Sequence, residues 1–176
     1  MKIFIDCGYY RGKALEYYAP FMDETWEVIA FEPRADLGVQ SSFERSPFDI
    51  EWYQIAVWTE NGDIDYVIPN REDSAHILKD RGVAENEVIK KVSSIDFSQF
   101  VDSLPEEATI VVSMDIEGAE FPVLKKMIKD GTIERISLLD IEFHHRLIPG
   151  MTREDSDHLR REIEVRGTLV KLKLEL

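Results

Sequence analysis

The chain has 176 residues, 44% hydrophobic and 32% charged, with a formal net charge of −14 at pH 7 and an isoelectric point near 4.7. That length and apolar content suit one domain over residues 1–176 with its own core, and the acidic balance disfavours nucleic acid and anionic membrane as partners, since both require clustered Lys and Arg. Cys7 is the single cysteine, which excludes an intrachain disulfide and a multi-cysteine zinc site and fits a reducing, cytoplasmic setting.

The pattern predicts a strand at 2–6 directly after Met1-Lys2, leaving no room for a signal peptide, and no apolar run approaches a membrane span. A turn through Gly8 and Gly12 then opens a helix to Met22, with Ala14, Leu15, Tyr18 and Met22 on one face. A strand at 27–31 runs into Glu32-Pro33, and Asp36 to Arg45 reads as a short helix. Strands at 51–57 and 63–68 flank Asn61-Gly62, a hairpin signal that makes 63–68 an antiparallel edge ribbon. Residues 69–92, polar and weakly periodic, read as a surface excursion or lid with a helical piece at Ala75 to Lys79.

Asp96 and Gln99 form a capping-box pair ahead of Phe97, Phe100, Val101 and Leu104 at helical spacing. After a strand at 109–114, a helix runs from Gly118 to Gly131 with Val123, Leu124, Met127 and Ile128 inward and Lys125, Lys126 and Lys129 on the solvated face. A strand at 136–142, a helix from Thr152 to before Gly167 and a strand at 168–175 complete the chain. In the last strand Leu169, Val170, Leu172, Leu174 and Leu176 alternate with Lys171, Lys173 and Glu175, predicting one buried and one wet face. The order of elements is that of an α/β fold, a mostly parallel Rossmann-like sheet with helices on both faces, shortened at the C-terminal end. Either the sheet is truncated there or a partner copy in a homodimer completes it.

Two features mark a nucleoside site. The strand-to-turn segment Ile5-Asp6-Cys7-Gly8-Tyr9-Tyr10-Arg11-Gly12 supplies glycines for positive φ and close backbone approach, and Glu32, twenty positions after Gly12, ends a second strand where a carboxylate accepts hydrogen bonds from ribose hydroxyls. A dinucleotide fingerprint needs a glycine between these two, and Tyr9 and Tyr10 stand there instead, which disfavours a diphosphate. Asp6 offers a carboxylate to a cationic amine, as in S-adenosylmethionine. Tyr9 and Tyr10 either stack on the base, wall off the acceptor or are plain packing.

Asp6-x-Gly8-x-x-x-Gly12, Phe31-Glu32-Pro33, Ile55-Ala56-Val57 and Met114-Asp115-Ile116-Glu117-Gly118-Ala119-Glu120 with Leu124 following resemble the successive motifs of the FkbM-type methyltransferases over about residues 1–145. The D-x-E-G-x-E segment is the most specific of these. Where the family usually carries Ala-Asn, this chain has Tyr9-Tyr10. The resemblance implies a class I methyltransferase fold, S-adenosylmethionine as cofactor bound by Asp6, Gly8, Tyr9, Tyr10, Gly12, Glu32, Pro33 and Ala56, and O-methylation of a small hydroxylated acceptor such as a sugar.

In an open parallel sheet ligands lie beyond the carboxyl ends of the strands, where Asp6, Glu32, Ala56, Asp115, Glu117, Glu142, His144 and His145 all fall. Asp115, His144 and Glu142 are the candidate general bases, and Asp115, Glu117 and Glu142 could instead hold a divalent cation. The plainer readings are that Asp115 and Glu117 charge and cap the next helix, that Glu120 is structural, that His144-His145 is a loop pair, and that His76 and His158 face solvent. Two further functions stay open: a non-catalytic nucleoside-binding or regulatory module on the same fold, and a nicotinamide-dependent enzyme, which the missing middle glycine opposes.

Overall fold

The computed structural model describes residues 1–34, 46–68, 75–77 and 87–173. Six strands form a wholly parallel sheet in the order β10 (Leu169–Leu172), β9 (Ile136–Ile141), β8 (Thr109–Met114), β1 (Lys2–Cys7), β2 (Trp26–Phe31), β3 (Ile50–Tyr53). The chain winds outward from β1 on one side and from β8 on the other, so the strand order reverses between them and a crevice opens at their carboxyl ends.

The central strand shows why: residues 3–7 of β1 are all at most 1% exposed, as a strand covered on both faces must be. Ile3 and Ile5 point into the larger core, where they meet Phe97 and Val101 of α2 (Phe97–Ser103), Phe121, Leu124 and Met127 of α3 (Glu120–Asp130), and Leu159 and Ile163 of α4 (Arg153–Val165). Phe4 points the other way, into a smaller core with Leu15 of α1 (Lys13–Tyr18). Helices thus cover both faces. The helix signals hold: Asp96 accepts the Gln99 N–H, Gly131 ends α3 at φ 82°, and Thr152 and Asp155 form a reciprocal capping box. No described helix is long and apolar enough to cross a membrane.

The stretch between β3 and α2 departs from expectation. Residues 51–57 do not form one strand: β3 ends at Tyr53, and Ala56–Trp58 (β4) belongs to a second sheet in the order β4, β7 (Val88–Asp96), β5 (Gly62–Ile68), β6 (His76–Ile77). Asn61-Gly62 does not close a hairpin between paired strands, because β7 lies between β4 and β5. Asn61 instead accepts the Asp96 N–H on its side-chain oxygen at 2.9 Å. β5 is consequently interior, not an edge.

The excursion at 69–92 contains strand where it is described. His76 and Ile77 are extended rather than helical, and His76 is buried at 1% exposure, not solvent-facing, whereas His158 is exposed as expected. β7 escapes its sequence pattern because residues 88–91 are all exposed, so no apolar alternation announces it. Its partner is β5 backbone, reinforced by the Lys91–Asp65 pair. β10 runs parallel to β9, and its leucines are not the buried face: Leu169 and Leu172 are 69% and 45% exposed, while Lys171 bridges to Asp140 at 3.1 Å and lies 4.2 Å over the Tyr17 ring. The helix expected at 36–45, the rest of the excursion and Leu174 to Leu176 lie outside the described residues.

Candidate active site

The cleft sits where the strand order reverses, with one wall built by the loops after β1 and β2. The Gly8 and Tyr9 N–H groups both donate to the Phe31 carbonyl at 3.0 Å, folding the glycine loop over the end of β2. The Tyr10 N–H, held at φ 51°, then donates to Glu32 Oε2 at 2.9 Å, and the Arg34 N–H donates to Oε1 at 3.0 Å. Glu32 is 4% exposed and lines the cleft with Pro33 and Ala56.

Gly8, at φ 84°, has a second constraint that no ligand imposes. A Cβ there would stand 1.9 Å from the Asp115 carbonyl oxygen. The Asp115 N–H in turn donates to the Cys7 carbonyl at 3.0 Å, so the loops after β1 and β8 are in direct contact. Tyr9 is 2% exposed and packs with Phe4, Leu15 and Val28, and a side chain at Gly12 would meet its hydroxyl at 2.6 Å. Its bulk is therefore core, with only an edge reaching the cleft. The Tyr10 ring is held beneath Arg11 and Lys13, at 5.1 and 5.7 Å.

Asp6 is 1% exposed and lines the cleft, and its Oδ2 has no hydrogen-bond partner among the described residues. Burial pushes its carboxyl up to about 7, which nearby Lys173 opposes and Asp115 and Glu32 reinforce. A buried carboxylate oxygen without a donor, on a residue that lines a cleft, fits a cationic amine.

The opposite wall is the turn from β8 into α3. Glu117 at φ 56° and Gly118 at φ 108° turn the chain back, and the carboxylate of the fully buried Glu120 accepts the Ile116 and Gly118 N–H groups, both at 2.9 Å. Glu120 is thus the structural centre of the D-x-E-G-x-E segment. Asp115 and Glu117 do not cap the helix: Ala119 is the cap residue, and no side chain bonds there.

Glu120 Oε1 also meets His144 Nδ1 at 2.9 Å. The other ring nitrogen, Nε2, faces Glu142 Oε1 at 3.5 Å and Asp115 Oδ1 and Glu117 Oε1 at 3.8 Å. Burial alone would push this imidazole down, but the Glu120 bond and the charges of Glu120, Glu117 and Asp115 raise it to about 9. With carboxylates before both nitrogens, the free ring is a donor at neutral pH, which removes it as proton acceptor. Glu142 is raised by burial and by the Asp115 charge. His145 lies outside the cluster, bonded to Ser156 at 3.0 Å.

The residues named from sequence therefore gather at one sheet edge, in two groups joined by the Gly8–Asp115 contact. Pattern reading missed three features of the site. Lys173, 3.8 Å from Asp115, reaches it because Leu172 is in register with Ile141, which sets Lys173 beside Glu142. Glu120 is structural as expected, but its bond to His144 Nδ1 had no local signal. The far wall combines Tyr66, on the strand expected at 63–68, with Ile77, where a helical piece was expected.

The family model for the methyltransferase FkbM domain matches residues 6–170. No match was found among curated proteins or among solved structures. The chain belongs to the FkbM methyltransferase family.

Proposed function

We propose that the chain is an S-adenosylmethionine-dependent O-methyltransferase acting on a small hydroxylated acceptor, a sugar or related metabolite. The observation that carries this is the buried, unpartnered oxygen of Asp6, a residue that lines the same cleft as Glu32 and Asp115. Asp6 would hold the cofactor's cationic amine and Glu32 its ribose hydroxyls. When bound, S-adenosylmethionine supplies a methyl group already activated on a sulfonium. The chain's task is then to position the acceptor and help its hydroxyl shed a proton as the carbon–oxygen bond forms and the carbon–sulfur bond breaks. Asp115, which lines the cleft with its side chain 36% exposed, is the group set to promote that loss. An acidic wall accepts hydrogen bonds from a polyhydroxylated acceptor and repels a phosphorylated one.

Calorimetry with S-adenosylmethionine, its demethylated product and NAD tests the cofactor; binding of NAD alone would overturn the reading. Once an acceptor is found, Asp115→Asn should keep cofactor affinity and melting temperature but cut turnover by roughly 10²–10⁴-fold. Cofactor binding with no turnover on any hydroxylated acceptor would favour a regulatory module.

A further inference from the structure

The acidic wall has a geometry that hydrogen bonding does not account for. One ligand atom from each of Asp115, Glu117 and His144 lies within 4.8 Å of the others. The gaps of 3.5–3.8 Å between His144 Nε2 and the oxygens of Glu142, Asp115 and Glu117 are too long for good hydrogen bonds. Neighbouring donors that share one ion at about 2.0–2.2 Å each stand roughly 3–3.6 Å apart, so small side-chain shifts would bring these groups onto one ion.

His144 gives the cluster a fixed direction. His144 is 95% buried by its 5% exposure, and its Nε2 has no hydrogen bond among the described residues, yet the ring is locked with that nitrogen toward the cluster. The lock is Glu120, itself fully buried and pinned by two backbone N–H groups. A carboxylate that takes one imidazole N–H and aims the other nitrogen is the arrangement that orients metal-binding histidines. Charge agrees with geometry: Asp115, Glu117, Glu120 and Glu142 face His144, Lys173 and Arg146, and burial and mutual repulsion make an added cation welcome.

We propose that Asp115, Glu117 and His144 Nε2 bind one divalent first-row cation of the manganese type, which displaces the Nε2 proton of the free ring to solvent, with Glu142 within reach as a fourth ligand. Mixed imidazole and carboxylate donors suit such an ion better than calcium, which takes oxygen throughout. Asp115 and Glu117 both line the cleft, so the ion's open positions face the space where an acceptor would lie. The site stands on its own geometry, and its use rests on the methyltransferase reading: a hydroxyl bound to the ion loses its proton more readily, and Asp115 then acts by holding the ion.

The test uses the full chain stripped with chelator and titrated with MnCl2, following loss of the free Mn²⁺ electron paramagnetic resonance signal, with no cofactor or acceptor present. One saturable equivalent per chain is expected, weakened at least tenfold in Glu117→Gln and in His144→Gln. Circular dichroism melts identify a variant that fails to fold, and the more exposed Glu117→Gln then carries the comparison. No saturable binding, or binding that both folded variants retain, overturns the site. Parallel calorimetry with the demethylated cofactor separates the two readings: cofactor binding without manganese sinks only the metal site, and manganese binding without cofactor sinks only the methyltransferase assignment.

Discussion

On the β1/β2 side of the cleft the key carboxylate is already satisfied, whereas on the β8/β9 side the key groups stand apart. Glu32 accepts two backbone N–H groups at 2.9 and 3.0 Å and so ties two loops together. Asp115, Glu117 and Glu142 instead surround an imidazole at 3.5–3.8 Å, above the close bonds of Glu120. The first wall gains stability from its functional residue. The second holds like charges near one another, an arrangement that stability alone would not select and that a bound substrate or ion would relieve.

Gly8 touches both walls at once, so it carries the largest expected effect. Gly8→Val must fit a Cβ 1.9 Å from the Asp115 carbonyl at a φ of 84° that branched residues avoid. Strain and overpacking together should cost on the order of 3–5 kcal/mol and abolish cofactor binding. The damage reaches the fold itself, contrary to a glycine that serves only the ligand. A variant with parental melting temperature and no cofactor affinity would show that the two walls are not coupled there.

What the sequence disclosed and what it hid follow the same division. The β1 loop, Glu32 and the D-x-E-G-x-E segment are local patterns, each strand, turn and acid lying within a few residues, and all three stand where expected. Lys173 reaches the site through a pairing 31 residues apart, Leu172 with Ile141, and the bond that locks His144, a residue named from its strand end, spans 24 residues to Glu120; no local period encodes either. β7 was hidden for a different reason: a strand whose first four residues face solvent has no apolar rhythm, and its support comes from backbone bonds to β5. Tyr9 read as a cleft residue because a loop tyrosine beside glycines resembles a ligand contact, and only the packing against Phe4 and Leu15 places it in the core.

Asp6 lies between the two walls and sharpens their contrast, because it should be a stability cost held for function. Its folded pKa of about 7 exceeds the ordinary 3.8, chiefly through burial. An acid raised on folding contributes no penalty below pH 4; as pH rises the unfolded chain ionises first, stability falls until about pH 7, and the loss is constant above that. One pKa unit is about 1.36 kcal/mol, so the penalty at pH 8 is on the order of 4 kcal/mol. Asp6→Asn should therefore melt higher than the parent at pH 8 and equally at pH 4, while binding S-adenosylmethionine more weakly. Melts across that range decide it; a difference that does not grow between pH 4 and pH 7 would mean Asp6 is solvated or neutralised in place.

Glu32→Gln gives the smallest effect and separates the two duties of the satisfied wall. A carboxylate accepts from the Tyr10 and Arg34 N–H groups at once, but an amide has one oxygen, so in either orientation one N–H faces an NH2. Leaving one buried donor unmet costs about 1–3 kcal/mol. Weaker, uncharged bonds to ribose should also lower S-adenosylmethionine affinity about tenfold, since charge-assisted bonds are roughly twice as strong as neutral ones. The two losses are measured separately, by melting without ligand and by calorimetry with it. A lower melting temperature with unchanged affinity would make Glu32 a loop tie alone, and the cofactor would then have to find its ribose contacts elsewhere in the cleft. Loss of affinity at parental stability would mean that the loops are held by the rest of the glycine turn, chiefly the Gly8 and Tyr9 bonds to Phe31.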